Sequence, residues 1–186
     1  FNCIEMPQQI VKSDKTDKIN ILTVGRFVEA KDFKTAFDAF HLVVRKNNNV
    51  KYTVVGHGPL ESELKNYILK EGLANYVDFI INPPQVDDYY KTADIYLSTS
   101  VFEGLSNSIM EAMSFNLPVV ATDVGDNKYL VKNNESGFLL PVKDVEGIST
   151  KLETLINNAD LRKKMGNNGY EHMRKNFSVE KFTQEY

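Results

Sequence analysis

Short apolar runs and one-sided helical stripes alternate along the chain, and the alternation predicts its elements. Residues 19–25, Ile-Asn-Ile-Leu-Thr-Val-Gly, form a β-rich run that closes on glycine. From Lys31 the period changes: Phe33, Ala36, Phe37, Phe40, Val43 and Val44 share one helical face, and the polar stretch 45–49 ends it. The strand signal returns at 51–56, followed by a helical stripe of Leu60, Leu64, Tyr67 and Ile68 that stops at Gly72. A third strand at 77–81 runs into Pro83 and Pro84, which break any continuation. A short helix over 87–93, a fourth strand at 94–100, a helix starting near Ser106 or Ser108, a fifth strand at 118–123 and a short sixth at 137–141 follow. Val145, Ile148, Leu152, Leu155 and Ile156 then stripe another helix, and two more charged helical segments finish the chain.

Strands of near-continuous Val, Ile and Leu that alternate with helices mean a parallel sheet covered on both faces. Right-handed crossovers then give an α/β, Rossmann-like, doubly wound sheet of about six strands. The 186 residues suit one domain, or one half of a larger protein. Because the chain opens on Phe1-Asn2-Cys3 and closes inside a charged helical pattern, it reads as a piece of something longer.

Composition narrows the functions. A net charge of -3 leaves no basic stripe for nucleic acid. Cys3 is the only cysteine, which excludes a disulfide framework and fits a reducing compartment. No apolar run approaches the ~18 residues of a membrane span and no signal-peptide pattern opens the chain.

In doubly wound sheets ligands bind beyond the carboxyl ends of the strands, so the loops there carry the chemistry. The first such loop holds Arg26 and Lys31 beside a helix start, the makings of a diphosphate clamp, although each alone reads as an ordinary surface cation. The second, Gly56-His57-Gly58-Pro59, resembles a dinucleotide fingerprint but places Glu61 where a small residue is required, which disfavours a nicotinamide enzyme. Pro59 at a first helical position explains the turn, and backbone near Gly56 and Gly58 is expected to approach a ligand. The third loop carries Glu103 and Glu111. Ser108 followed by Glu111 reads as a capping box, with Ser106 as the competing cap. If the helix begins at Ser106, Glu111 lies one turn inside it and stands roughly 10 Å from Glu103. That separation suits two ends of one ligand rather than a hydrolytic carboxylate pair. Gly104, Leu105 and Ser106 offer backbone N–H groups between them. The fourth loop holds Asp123 and Asp126, which, like Asp87 and Asp88, read as solvated turn acids. His41, His57 and His172 lie in separate contexts and complete no metal set.

Taken together, Val24-Gly25-Arg26-Phe27 with Lys31, the Gly56–Pro59 turn, the stretch 102–125 and the run 136–141 resemble, in this order and spacing, the donor-binding C-terminal domain of retaining glycosyltransferases of the GT-B fold, family 4. The likeness runs from about Ile19 to Tyr186 and centres on a Glu-x7-Glu motif, Glu103 to Glu111. It implies that Arg26 and Lys31 hold the diphosphate of a nucleotide-sugar, that Glu103 contacts the donor sugar and that Glu111 accepts from the ribose hydroxyls. It further implies that Gly104, Leu105 and Ser106 meet sugar and phosphate, that Ile81 and Asn82 lie near the base, and that Gly25, Gly56 and Gly58 belong to the donor site. Two departures stand out: Asp126 takes the second place of a usual Gly-Gly pair, and Asp32 replaces a usual glycine after Lys31.

The resemblance implies a metal-independent, cofactor-free reaction with retention, in which Arg26 and Lys31 stabilise the leaving diphosphate. Residues 18–186 would form the donor domain and 1–17 the interdomain connection. An N-terminal domain absent from this chain would carry the sugar or lipid-linked acceptor, and the final ten residues would continue into a helix returning to it. The chain alone would bind nucleotide weakly and transfer nothing. A non-catalytic nucleotide-sugar-binding or scaffold domain, and half of a sugar-nucleotide epimerase, stand as alternatives. Arg162, Lys163, Lys164, Arg174 and Lys175 read as a solvated helix face, with peripheral docking on acidic lipid as the other reading.

Overall fold

Each apolar run becomes a strand because its branched side chains can be buried on both sides of a sheet. The computed structural model describes residues 3–7 and 17–179. Its strands are β1 (Ile19–Val24), β2 (Val50–Gly56), β3 (Val77–Ile81), β4 (Ile95–Ser98), β5 (Val119–Thr122) and β6 (Gly137–Leu140). All pair in parallel, in the order β3-β2-β1-β4-β5-β6. Their helices are α1 (Phe33–Val44), α2 (Glu61–Lys70), α3 (Asp87–Thr92), α4 (Asn107–Ser114), α5 (Asn127–Leu130), α6 (Val145–Ile156) and α7 (Ala159–Asn176).

Successive side chains of a strand point to opposite faces, and that alternation builds two cores. Ile21, Val54, Leu97 and Val120 belong to the first, completed by Phe37 of α1, Leu64 of α2 and Leu152 of α6. Leu22, Val55, Tyr96 and Ala121 belong to the second, completed by Tyr90 of α3, Met113 of α4 and Met173 of α7. The helix over Ala159–Asn176 runs unbroken through Gly166, where a side chain would fall 2.0 Å from the Asn116 carbonyl. The glycine therefore lets α7 close on the end of α4.

Three details differ from the expected elements. Helix α4 starts at Asn107 behind an extended Ser106, and the Ser108 and Glu111 pair forms no capping box, because Glu111 bonds elsewhere. Pro59 lies in the turn before α2 rather than at its first position. Helix α5, four residues long, was not foreseen. Of the expected interdomain connection, residues 3–7 are described: Ile4 N–H donates to the Phe177 carbonyl at 2.8 Å, and Val179 N–H donates to Ile4 at 3.1 Å. Residues 8–16 and the expected continuation beyond Val179 lie outside the described residues.

Strand order reverses between β1 and β4. The loops leaving these two neighbours therefore diverge and leave a crevice at the carboxyl end of the sheet.

Candidate functional site

One wall of the crevice is the loop from β1 to α1. It is pinned by Phe27, whose fully buried ring packs edge-on against Phe33 and Phe79 at 5.3 and 5.7 Å. Its backbone is zipped to the loop after β2: Gly25 N–H donates to Val55, Phe27 N–H to His57 and Leu60 N–H to Phe27. This explains the two glycines of that second loop. A side chain at Gly56 would fall 1.9 Å from the Gly25 carbonyl, and one at Gly58 would strike the Phe27 backbone at 2.5 Å. With Phe27 turned inward, Arg26 projects outward and is exposed, and a single 3-10 turn over Glu29–Lys31 delivers Lys31 to the rim.

The facing wall is the loop from β4 to α4, joined to the first by the bond from Val101 N–H to the Ala30 carbonyl. Glu103 stands on it with its side chain only 12 % exposed. One of its carboxylate oxygens, Oε1, accepts from both Lys31 Nζ and the buried hydroxyl of Ser100, the latter at 2.7 Å. Ser100 is itself held from β5, since Thr122 Oγ1 donates to its carbonyl at 2.6 Å. Behind Glu103 lies Gly125, in a left-handed conformation (φ 51°), so close that a side chain there would fall 1.9 Å from the Glu103 carbonyl.

Glu111 sits one turn into α4, and its Oε2 accepts from the Tyr90 hydroxyl at 2.7 Å. Burial pushes its carboxyl above the ordinary value. The Tyr90 hydrogen bond pulls it back down, and the charge of Asp87 adds a further push upward. Burial likewise drives the Tyr90 hydroxyl well above its usual range, so it stays a donor.

Between these walls is a cleft of about 470 Å³, lined by Gly25, Arg26, Lys31, Glu103, Gly104, Leu105, Ser106 and Glu111. The structure thus gathers the residues of the first and third expected loops around one space. Gly56 and Gly58 do not line it but shape it from behind, by letting the β2 loop close on Gly25 and Phe27. Ile81 and Asn82, at the end of the edge strand β3, are exposed and outside the lining. Asp32 also lies outside the lining. It occupies a left-handed conformation (φ 44°) that glycine adopts without strain, and its carboxylate accepts from Thr35 Oγ1 at 2.7 Å. Phe102, 76 % exposed on the cleft rim, was missed by the sequence reading, although a large apolar residue in a polar turn was a usable signal. Asp87 lines a second, smaller cleft of about 380 Å³ that opens on the far side of Glu111, against Glu5 and Met6.

The chemistry offered is binding chemistry. Two cations, the amino end of a helix and two carboxylates face one polar space, a set that matches an anion with hydroxyl groups at each end. Among the described residues no group of three or more His, Cys, Asp or Glu is placed to hold a metal ion, and no helix is long and apolar enough to cross a membrane. Of the basic residues near the end of the chain, Arg162 donates to the last carbonyls of α6, while Arg174 and Lys175 pair with Glu171.

The family described as Glycosyl transferases group 1 matches residues 5–172. The chain belongs to the group 1 glycosyl transferases. Among its relatives, the capsular polysaccharide biosynthesis glycosyltransferase CapM of Staphylococcus aureus is 30% identical over 164 residues, 87% of this chain and 43% of that protein. The chain spans about half or less of the length of the first curated relatives it matches, at 53%, 35% and 43%. Among solved structures, the C-terminal domain of the group 1 protein LpcC from Francisella tularensis superposes with a TM-score of 0.79 at 24% identity, over 89% of this chain and 88% of that one. The pneumococcal O-GlcNAc transferase GtfA, in complex with UDP and GlcNAc, superposes with a TM-score of 0.87 at 19% identity, over 98% of this chain and 37% of that one. This group 1 domain therefore has the Rossmann-like architecture of one half of a GT-B protein.

Proposed function

We propose that the chain is the donor-binding half of a metal-independent, retaining glycosyltransferase, which moves a sugar from a nucleotide-diphosphate sugar to an acceptor in polysaccharide or glycolipid synthesis. The observation that carries this reading is the single cleft in which Arg26, Lys31, Glu103, the start of α4 and Glu111 converge. Family membership supports it, as do the capsular polysaccharide relative and the UDP held by GtfA.

In this reading the diphosphate lies between the exposed Arg26 fork and Lys31. Their positive charge offsets the negative charge that builds on the leaving phosphate as the glycosidic bond lengthens, the work a metal ion would otherwise do. The amino end of α4 turns its N–H groups and the positive end of the helix dipole toward the same charge. Glu111, on one side, takes the ribose hydroxyls. Glu103, on the other, takes hydroxyls of the sugar once Lys31 turns from its carboxylate to the phosphate. The acceptor is carried by a part of the protein outside this chain, consistent with the greater length of the relatives.

The test is calorimetric titration of the 186-residue chain with UDP, GDP and ADP, with and without EDTA. One nucleotide is expected to bind selectively and weakly, equally well in EDTA, with at least tenfold loss in Arg26→Ala and in Glu111→Ala, the scale of one hydrogen bond to a charged group. Binding that needs a divalent ion, or that ignores both substitutions, would overturn the assignment.

A further inference from the structure

The two acids of the cleft are each met by a buried hydroxyl, Ser100 on the same loop for Glu103 and Tyr90 from another element for Glu111. Tyr90 is the less expected, because it comes from α3, 21 residues away, and no feature of its sequence marks it. It is 1 % exposed, and its ring stacks on Phe115 at 5.4 Å with the planes 7° apart. Tyr96 packs beside it at 6.1 Å, with its own hydroxyl bonded to the Val24 backbone. A ring so enclosed has no freedom to follow Glu111. The carboxylate must come to the hydroxyl.

We propose that Tyr90 is a positioning residue for the donor site, whose hydroxyl fixes one oxygen of Glu111 so that the other remains free to accept from the ligand. The proposal rests on the ribose reading of Glu111. Only Oε2 is engaged by Tyr90, and Glu111 lines both clefts, the main one and the smaller one that holds Asp87 and Glu5. Without the tyrosine hydroxyl, two effects combine. The carboxylate is free to rotate toward the rear cleft, losing its aim. It also loses the one donor that favours its charged form, so its proton is held to higher pH. The charged groups around Glu111 are Asp87 on α3, Glu5 on the 3–7 segment, and Arg26, Lys31 and Glu103 across the main cleft. Of the influences on the Glu111 charge, burial and Asp87 oppose it and the Tyr90 hydroxyl favours it.

Two measurements on the chain test this. The first is a ¹³C-carboxyl NMR titration of Glu111 without ligand, in the parent and in Tyr90→Phe, which keeps the ring stacked on Phe115. The midpoint is expected to move to higher pH in the variant. The second is UDP binding as a function of pH in the parent, Tyr90→Phe, Glu111→Gln and the double variant. Tyr90→Phe is expected to weaken binding at pH 7 by about tenfold and to shift the acid limb of the profile upward. Glu111→Gln is expected to abolish that limb, and the double variant to bind no worse than Glu111→Gln alone. If Tyr90→Phe lowers the melting temperature yet leaves the NMR midpoint and the binding profile in place, Tyr90 is a core residue only and the proposal fails while the ribose reading stands. If Glu111→Gln leaves UDP binding unchanged, the ribose reading falls and takes this proposal with it.

Discussion

Glu111 shows at the scale of one residue how a buried carboxylate works against folding. Its carboxyl is held above the ordinary value of 4.5 by burial, so the folded chain keeps that proton to higher pH than the unfolded chain does. The stability attached to it is present at low pH and is lost as pH rises from the ordinary value through the raised one. Glu111→Gln removes the charge and can still accept from Tyr90. Thermal denaturation should therefore find the variant more stable than the parent at pH 7, with the gap closing near pH 4. A cap residue would behave in the opposite way, since its removal lowers stability by about 1 kcal/mol. The sequence alone could not separate these roles. The spacing of Ser108 and Glu111 fits a cap, and what decides against it is a hydroxyl from Tyr90, remote in sequence.

The elements themselves were more legible, for a physical reason. Runs such as 19–25 and 118–123 are apolar on both faces, as only a covered strand can be, and the stripes of α1 and α6 repeat at the helical period. Helix α5 escaped because four residues hold barely one turn and cannot display a period. The exact start of α4 escaped because Ser106 and Ser108 are equally good caps on paper. Glycines were the least legible feature, since the reason for each lies in another element. Gly56 and Gly58 suggested contact with a ligand, and the reason the structure supplies for them is the room they make for Gly25 and Phe27. Gly56→Ala should push the β1 loop outward, costing about 2–4 kcal/mol in chemical denaturation. On the proposed reading of the site, it should also weaken nucleotide binding, because Arg26 and Lys31 ride on that loop. Ile81 and Asn82 stand apart from the cleft because sheet order, which no local pattern encodes, sets β3 at the edge.

At the scale of the molecule, two cores share one sheet, so neither face can open alone without stripping the strands that both need. Phe37→Ala empties the centre of the α1 face, where the ring meets Tyr52, Tyr67 and Phe79, and should cost about 3–5 kcal/mol. Denaturation followed by tyrosine fluorescence and by circular dichroism should still give one coincident transition. Separate transitions would mean that the faces unfold independently. The same sheet also decides which charges meet. By bringing the loops after β1 and β4 together, it lets Glu103 occupy Lys31 before any ligand arrives, in a chain whose net charge is -3. A bare phosphate ion that draws Lys31 away offers nothing in return to Glu103, and it leaves an acid stranded in a half-buried place. On the proposed reading of the site, a sugar diphosphate supplies a new partner to each side of the broken pair at once, a phosphate to Lys31 and a hydroxyl to Glu103. On that reading the ion pair makes the cleft a lock with two tumblers, opened by a key that carries both a charge and a hydroxyl.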